Sequence, residues 1–93
     1  MKPTKASLVG FTYSLARELG RLGITVNAIA PGFMQTEMTS SMNEVDRERV
    51  TRRSALGRLA TPEDIAESVL YLMGDAGRNI TGQVLTVDAG STA

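Results

Sequence analysis

The chain has 93 residues, 42% hydrophobic and 22% charged, which allows one small globular domain at most. Ten basic and ten acidic residues cancel, so no net field favours nucleic acid or an anionic membrane. With no cysteine and no histidine, disulfides, thiolate metal sites, a cysteine nucleophile and the usual neutral-pH base are excluded.

Residues 4–20 are expected to form a helix. Leu8, Phe11, Leu15 and Leu19 recur at helical spacing on one stripe, and Val9, Tyr13 and Ala16 make a second, flatter apolar strip. Two strips imply two partners, such as the helix's own sheet and another subunit. Gly20 and Gly23 are the candidate stops. The stretch 24–30 is apolar on both faces apart from Thr25 and Asn27, the pattern of a strand buried in a parallel sheet, and Pro31-Gly32 ends it. A buried amide at Asn27 needs partners, and a structural hydrogen bond is favoured there over catalysis.

Residues 33–57 carry Met34, Met38 and Met42 four apart, with Val45 beyond and Arg47, Glu48, Arg49, Arg52 and Arg53 charging the rest. An adaptable amphipathic flap is expected rather than a core element. The methionines suit an acyl channel or a closing lid, and equally ordinary burial at helical spacing. The arginines are diluted by Glu44, Asp46 and Glu48, so a solvated face is a better reading than a site for an acidic partner. Thr61-Pro62-Glu63-Asp64 is a strong helix start: a capping hydroxyl, a proline suited to the first turn, and two carboxylates at the positive end of the helix dipole. Those carboxylates are explained by the dipole, and no metal constellation is visible. Ile65, Val69, Leu72 and Met73 are the expected buried face, with Gly74 or Gly77 closing the helix. Residues 83–87 read as a short buried strand, and Asp88, Ala89 and Gly90 turn the chain after it.

Two strands joined through helices imply a parallel, right-handed crossover, yet two strands are too few for a stable sheet. The first would leave backbone groups open along an edge. Aromatics are 4% with no tryptophan, so any core is aliphatic and thin. A stable monomer is therefore not expected. No apolar run is long enough to span a bilayer and no signal-peptide core opens the chain, so a cytoplasmic protein is expected.

Several motifs stand in a recognisable order. They are Thr4-Lys5-Ala6-Ser7, the stretches 15–19 and 24–32, Thr36-Glu37-Met38, and Leu56-Gly57-Arg58 ahead of 61–66. The last are Ile80-Thr81-Gly82-Gln83-Val84-Leu85 and Val87-Asp88. On these motifs the chain resembles the C-terminal portion of the short-chain dehydrogenase/reductase family. Residues 33–39 and 80–83 favour the branch acting on 3-oxoacyl thioesters in fatty acid synthesis. The resemblance implies an α/β fold, a Rossmann-type doubly wound parallel sheet. Residues 1–93 would be its C-terminal fragment, an incomplete domain of about two strands and three helices. It implies NADP or NAD as cofactor, an acyl-carrier-protein-linked substrate, and a homo-oligomer whose interface includes the last strand and tail. The Gly-rich turn, the residue selecting NADP or NAD, and the catalytic Asn and Ser would all belong to a preceding part.

The resemblance also assigns residues. Lys5 matches the family lysine, which hydrogen-bonds the nicotinamide ribose and lowers the pKa of a tyrosine one helical turn earlier. Met1 stands at that tyrosine's position, and a thioether donates no proton. Tyr13, eight residues past Lys5, is no substitute. Pro31 and Gly32, after Ile29 and Ala30, would let the backbone approach the nicotinamide carboxamide, although a simple strand-ending turn is the plain alternative. Thr36 matches a threonine that bonds the carboxamide or phosphates, and could equally cap the next helical segment. Asp88 is expected to cap a turn. One expectation is a truncated, inactive reductase piece that does not bind the dinucleotide alone. A second is a non-catalytic protein that docks on intact, full-length reductase subunits through the first helix and last strand. An independently folded small binder ranks last.

Overall fold

A computed structural model describes residues 4–32 and 43–91. The described elements are helix α1 (Lys5–Gly20), strand β1 (Ala28–Pro31), helix α2 (Glu44–Arg52), helix α3 (Pro62–Met73), a single 3-10 turn at Asp75–Gly77 and strand β2 (Val84–Val87). The strands pair with each other. The Ala28 N–H donates to the Gln83 carbonyl at 2.9 Å and the Gly32 N–H to the Val87 carbonyl at 3.1 Å, so both partners advance together, the register of a parallel pair. Such a pair needs a long crossover, and α2 and α3 lie within it. Contacts group into two units, Met1–Ile29 with Val69–Leu85, and Ala30–Ser68 with Thr86–Ala93.

In the first unit, Thr4 starts α1 by accepting the Ser7 N–H on its hydroxyl at 3.0 Å. Gly23, at φ 76°, closes the helix, its N–H donating to the Gly20 carbonyl. The inward face differs from the expected stripe. Thr12 and Ala16 are buried and Leu8, Leu15 and Leu19 half-buried, while Phe11 is 66% exposed. Thr12 can face inward because its hydroxyl donates to the Leu8 carbonyl at 2.7 Å. Ala16 is small enough for the backbone at Gly82 to run close above it.

The strand expected over 24–30 begins only at Ala28. Side chains replace the ladder before it. The Asn27 amide donates to the Ile80 carbonyl at 2.9 Å and accepts the Gln83 N–H at 3.1 Å. The Val26 N–H donates to the Thr81 hydroxyl at 2.9 Å, and the Gly82 N–H to the Val26 carbonyl at 2.7 Å. The cause is the positive φ of 74° at Gly82, which takes the partner segment out of strand geometry. Gly77 is buried with its α-carbon against the Leu72 carbonyl, leaving no room for a side chain.

In the second unit, Asn43 caps α2 by accepting the Asp46 N–H at 2.8 Å. The part of the expected flap over Glu44–Arg52 is thus a regular helix, in keeping with a helical reading of this segment. Met34, Met38 and Met42 lie outside the described residues. The charges of α2 form exposed pairs, Arg52 with Glu48 at 3.2 Å and Arg49 with Asp46 at 3.9 Å, as a solvated face would. A reciprocal cap starts α3. The Asp64 N–H donates to the Thr61 hydroxyl at 3.2 Å and the Thr61 N–H to the Asp64 carboxylate at 2.9 Å.

The buried face expected on α3 is narrower than the spacing implied. Ile65 and Leu72 are half-buried, but Val69 is exposed and Met73 is 78% exposed. On β2, Leu85 is 40% exposed, so this strand is not buried on both faces. Among the described residues the buried apolar side chains are Ala16 and Ala60, one in each unit. An aliphatic set of this size does not cover both faces of a sheet.

Candidate functional site

Ligands of open α/β sheets bind beyond the carboxyl ends of parallel strands, which here means the end of β1. Pro31 is exposed there and Gly32 half-buried. Gly32 is held from two sides. Its N–H bonds the Val87 carbonyl, and its α-carbon rests on Asp88: a side chain at this position would run into the Asp88 Cβ, with the Asp88 α-carbon at 3.0 Å and the Ser91 hydroxyl at 3.2 Å. The glycine is therefore required by packing against the turn after β2, whatever else it does.

That turn, Asp88–Ser91, is closed by the Ser91 N–H donating to the Asp88 carbonyl at 3.1 Å. Both central residues have positive φ, 54° at Ala89 and 88° at Gly90, the handedness of a type I′ turn. Asp88 is 7% exposed, and its carboxylate accepts the Gly90 N–H at 2.8 Å, the turn-capping role expected of it. Ser54, also buried, donates its hydroxyl to the Ala89 carbonyl at 2.6 Å, and the Leu56 N–H donates to the same oxygen at 3.0 Å. Gly32, the 88–91 turn and residues 54–56 are thus brought together within one unit. Nothing in the sequence around Ser54 announces this, since a lone serine after two arginines has no motif.

Lys5 is the first residue of α1 and is exposed; it belongs to the first unit, whereas Pro31 and Gly32 belong to the second. Met1 and Thr36 lie outside the described residues. Tyr13 is exposed on α1 with the Arg17 guanidinium 6.0 Å from its ring centre. Asn27 spends its amide on two backbone groups, the structural role expected. The Asp64 carboxyl is held below its ordinary pKa chiefly by the Thr61 backbone N–H and then its hydroxyl, which outweigh slight desolvation, with the smallest pull from Arg58. Among the described residues no group of three or more His, Cys, Asp or Glu side chains could hold a metal, and no helix is long and apolar enough to cross a membrane.

A parallel strand pair with helices in its crossover and a Pro-Gly at the carboxyl end of the first strand define a piece of an open α/β sheet. Residues 1–92 match the family described as Enoyl-(Acyl carrier protein) reductase, and the chain belongs to this family of short-chain dehydrogenases/reductases. It is 45% identical over 87 residues to the 3-oxoacyl-[acyl-carrier-protein] reductase FabG of Rickettsia felis, and 44% identical over 87 residues to that of Aquifex aeolicus. Each alignment covers 94% of this chain but only 36% and 35% of the relative, respectively. Among solved structures, a double mutant of a Serratia marcescens short-chain dehydrogenase/reductase superposes with a TM-score of 0.84 at 40% identity, over 96% of this chain and 36% of that one. The chain thus spans about a third of the length of the relatives it matches. The fold is α/β and corresponds to a part of the Rossmann sheet of that family.

Proposed function

We propose that the chain is the C-terminal part of an NAD(P)H-dependent, cytoplasmic reductase of 3-oxoacyl thioesters carried on acyl carrier protein, and that these 93 residues alone do not turn over. The observation that carries this reading is the identity of 45% across 94% of the chain with a relative named for that reaction. The family description names enoyl reduction instead; the closeness of the named relatives favours the 3-oxoacyl substrate.

The resemblance supplies the residues for the nicotinamide end of such a cofactor. An exposed ammonium stands at Lys5, and an exposed strand terminus at Pro31. Lys5 would hold the ribose, the backbone of Pro31 and Gly32 the carboxamide, and Thr36 the carboxamide or phosphates. When bound, the dinucleotide supplies the hydride. By the resemblance, the ammonium of Lys5 would acidify a phenol at the position that Met1 holds, where this sequence carries a thioether that donates no proton.

Titrating the purified chain with NADPH and following nucleotide fluorescence tests the inactive-piece reading; no saturable binding is expected at micromolar concentrations, and saturation there would overturn it. A hybrid tests the substrate. Joining the N-terminal part of the Rickettsia felis reductase, through its catalytic tyrosine, to residues 2–93 is expected to reduce a 3-oxoacyl thioester. A folded hybrid that binds NADPH and leaves the thioester untouched would refute that assignment. A second reading, a non-catalytic protein that docks on intact reductase subunits or on its own copies, is favoured by the exposure of Val9 and Tyr13 on α1. Co-purification with a full-length reductase is its expected signature, and a folded monomer that ignores that partner speaks against it.

A further inference from the structure

We propose that Ser54 is a positioning residue: its hydroxyl holds the left-handed turn at Ala89, which seats Asp88 beneath Gly32 and so sets the backbone at the carboxyl end of β1. The argument begins with Ala89. Its φ of 54° belongs to the region that residues with a Cβ seldom adopt, and the first central position of a type I′ turn normally falls to Asn, Asp or Gly. Such a conformation persists only when the surroundings over-determine it.

They do so here through carbonyls. The Ala89 carbonyl accepts the Ser54 hydroxyl at 2.6 Å and the Leu56 N–H at 3.0 Å, and the Gly90 carbonyl accepts the Ala55 N–H at 3.4 Å. Only the first of these three donors is a side chain. Ser54 is itself 6% exposed, and its oxygen accepts the Arg58 N–H at 3.4 Å, which orients the hydroxyl toward the turn. At the other end of the turn the Asp88 carboxylate holds the Gly90 N–H, and the Asp88 Cβ occupies the space a side chain on Gly32 would need. A continuous run of contacts, all within one unit, leads from Ser54 through Ala89 and Asp88 to Gly32. That Gly32 faces a nicotinamide rests on the function proposed above; the positioning does not.

Residue-resolved amide hydrogen exchange on the full 93-residue chain, without nucleotide, is the test. Ser54→Ala is expected to speed exchange at Gly32 about fivefold, the effect of one lost hydrogen bond, while the Ala28 amide keeps its rate. Ala28 bonds Gln83 within the other unit and reports openings that leave the Ser54 contact intact. Ser54→Thr, which keeps a hydroxyl, is expected to restore protection at Gly32. Ala89→Gly removes the need for the restraint, so adding Ser54→Ala to it is expected to accelerate Gly32 less than in the parent chain. Equal acceleration at Gly32 and Ala28 overturns the proposal, as does an unchanged Gly32, or a Gly32 amide already unprotected in the parent. Such a failure leaves the reductase reading standing, and a hybrid that fails to act on the thioester leaves this one standing.

Discussion

Asn27 joins two segments more than fifty positions apart in sequence, and removing its amide isolates what that junction contributes. Asn27→Ala strips the Ile80 carbonyl of a donor at 2.9 Å and the Gln83 N–H of an acceptor at 3.1 Å. The first bond is partly buried and the second exposed, so water compensates the second more fully. Taking about 1 kcal/mol for the first and about 0.5 for the second, the loss is about 1.5 kcal/mol, a large share of a marginal stability. Asn27→Asp separates hydrogen bonding from packing. Its carboxylate keeps an acceptor toward Gln83 but turns a negative oxygen on the Ile80 carbonyl, so folding favours the protonated form, which can donate there. The folded pKa of the introduced carboxyl then exceeds the unfolded value of about 3.9. The protonated form's stabilisation is full below the unfolded pKa and is lost as pH rises through the folded one. Relative to the parent, Asn27→Asp should therefore fall further behind between pH 4 and 7. Urea midpoints at both pH values and one protein concentration, with exchange at Gln83, measure this. An Asn27→Ala chain that unfolds at the parent's midpoint with Gln83 still protected would refute the reasoning.

Gly32→Ala is expected to cost about 1–3 kcal/mol, because the added methyl meets the side chain and α-carbon of Asp88 and only backbone movement relieves it; an unshifted urea midpoint would contradict the close approach. Thr61→Ala removes a capping hydroxyl and should destabilise α3 by about 1 kcal/mol in thermal unfolding followed by circular dichroism. The Asp64 carboxyl, lowered in the folded chain, stabilises fully above its unfolded pKa of about 3.9, and this is lost as pH falls through the folded value. An NMR titration should place the Asp64 midpoint below that of an ordinary aspartate, and a midpoint above it would contradict the cap.

Helix starts were legible in the sequence because capping is local. The Thr61-Pro62-Glu63-Asp64 run needs only residues three places away to act and works as read, whereas Thr4, expected inside the first helix, caps it instead. The motif order was legible for the same reason, as a linear pattern, and it led to the family. Asn27 was recognised as needing partners, though not which ones. Lys5, Pro31 and Gly32 came forward only through the family resemblance. Tertiary structure alone decided the rest. Phe11 turns outward because Thr12 satisfies its own hydroxyl and Ala16 admits a close backbone, neither of which hydrophobic spacing encodes. Strand β1 begins late because Gly82 turns the segment opposite. Ser54 acquires a partner 35 positions away only once the turn at Ala89 exists. Short-range hydrogen bonding is written residue by residue, whereas which distant backbone passes within van der Waals reach is settled only when the segments pack.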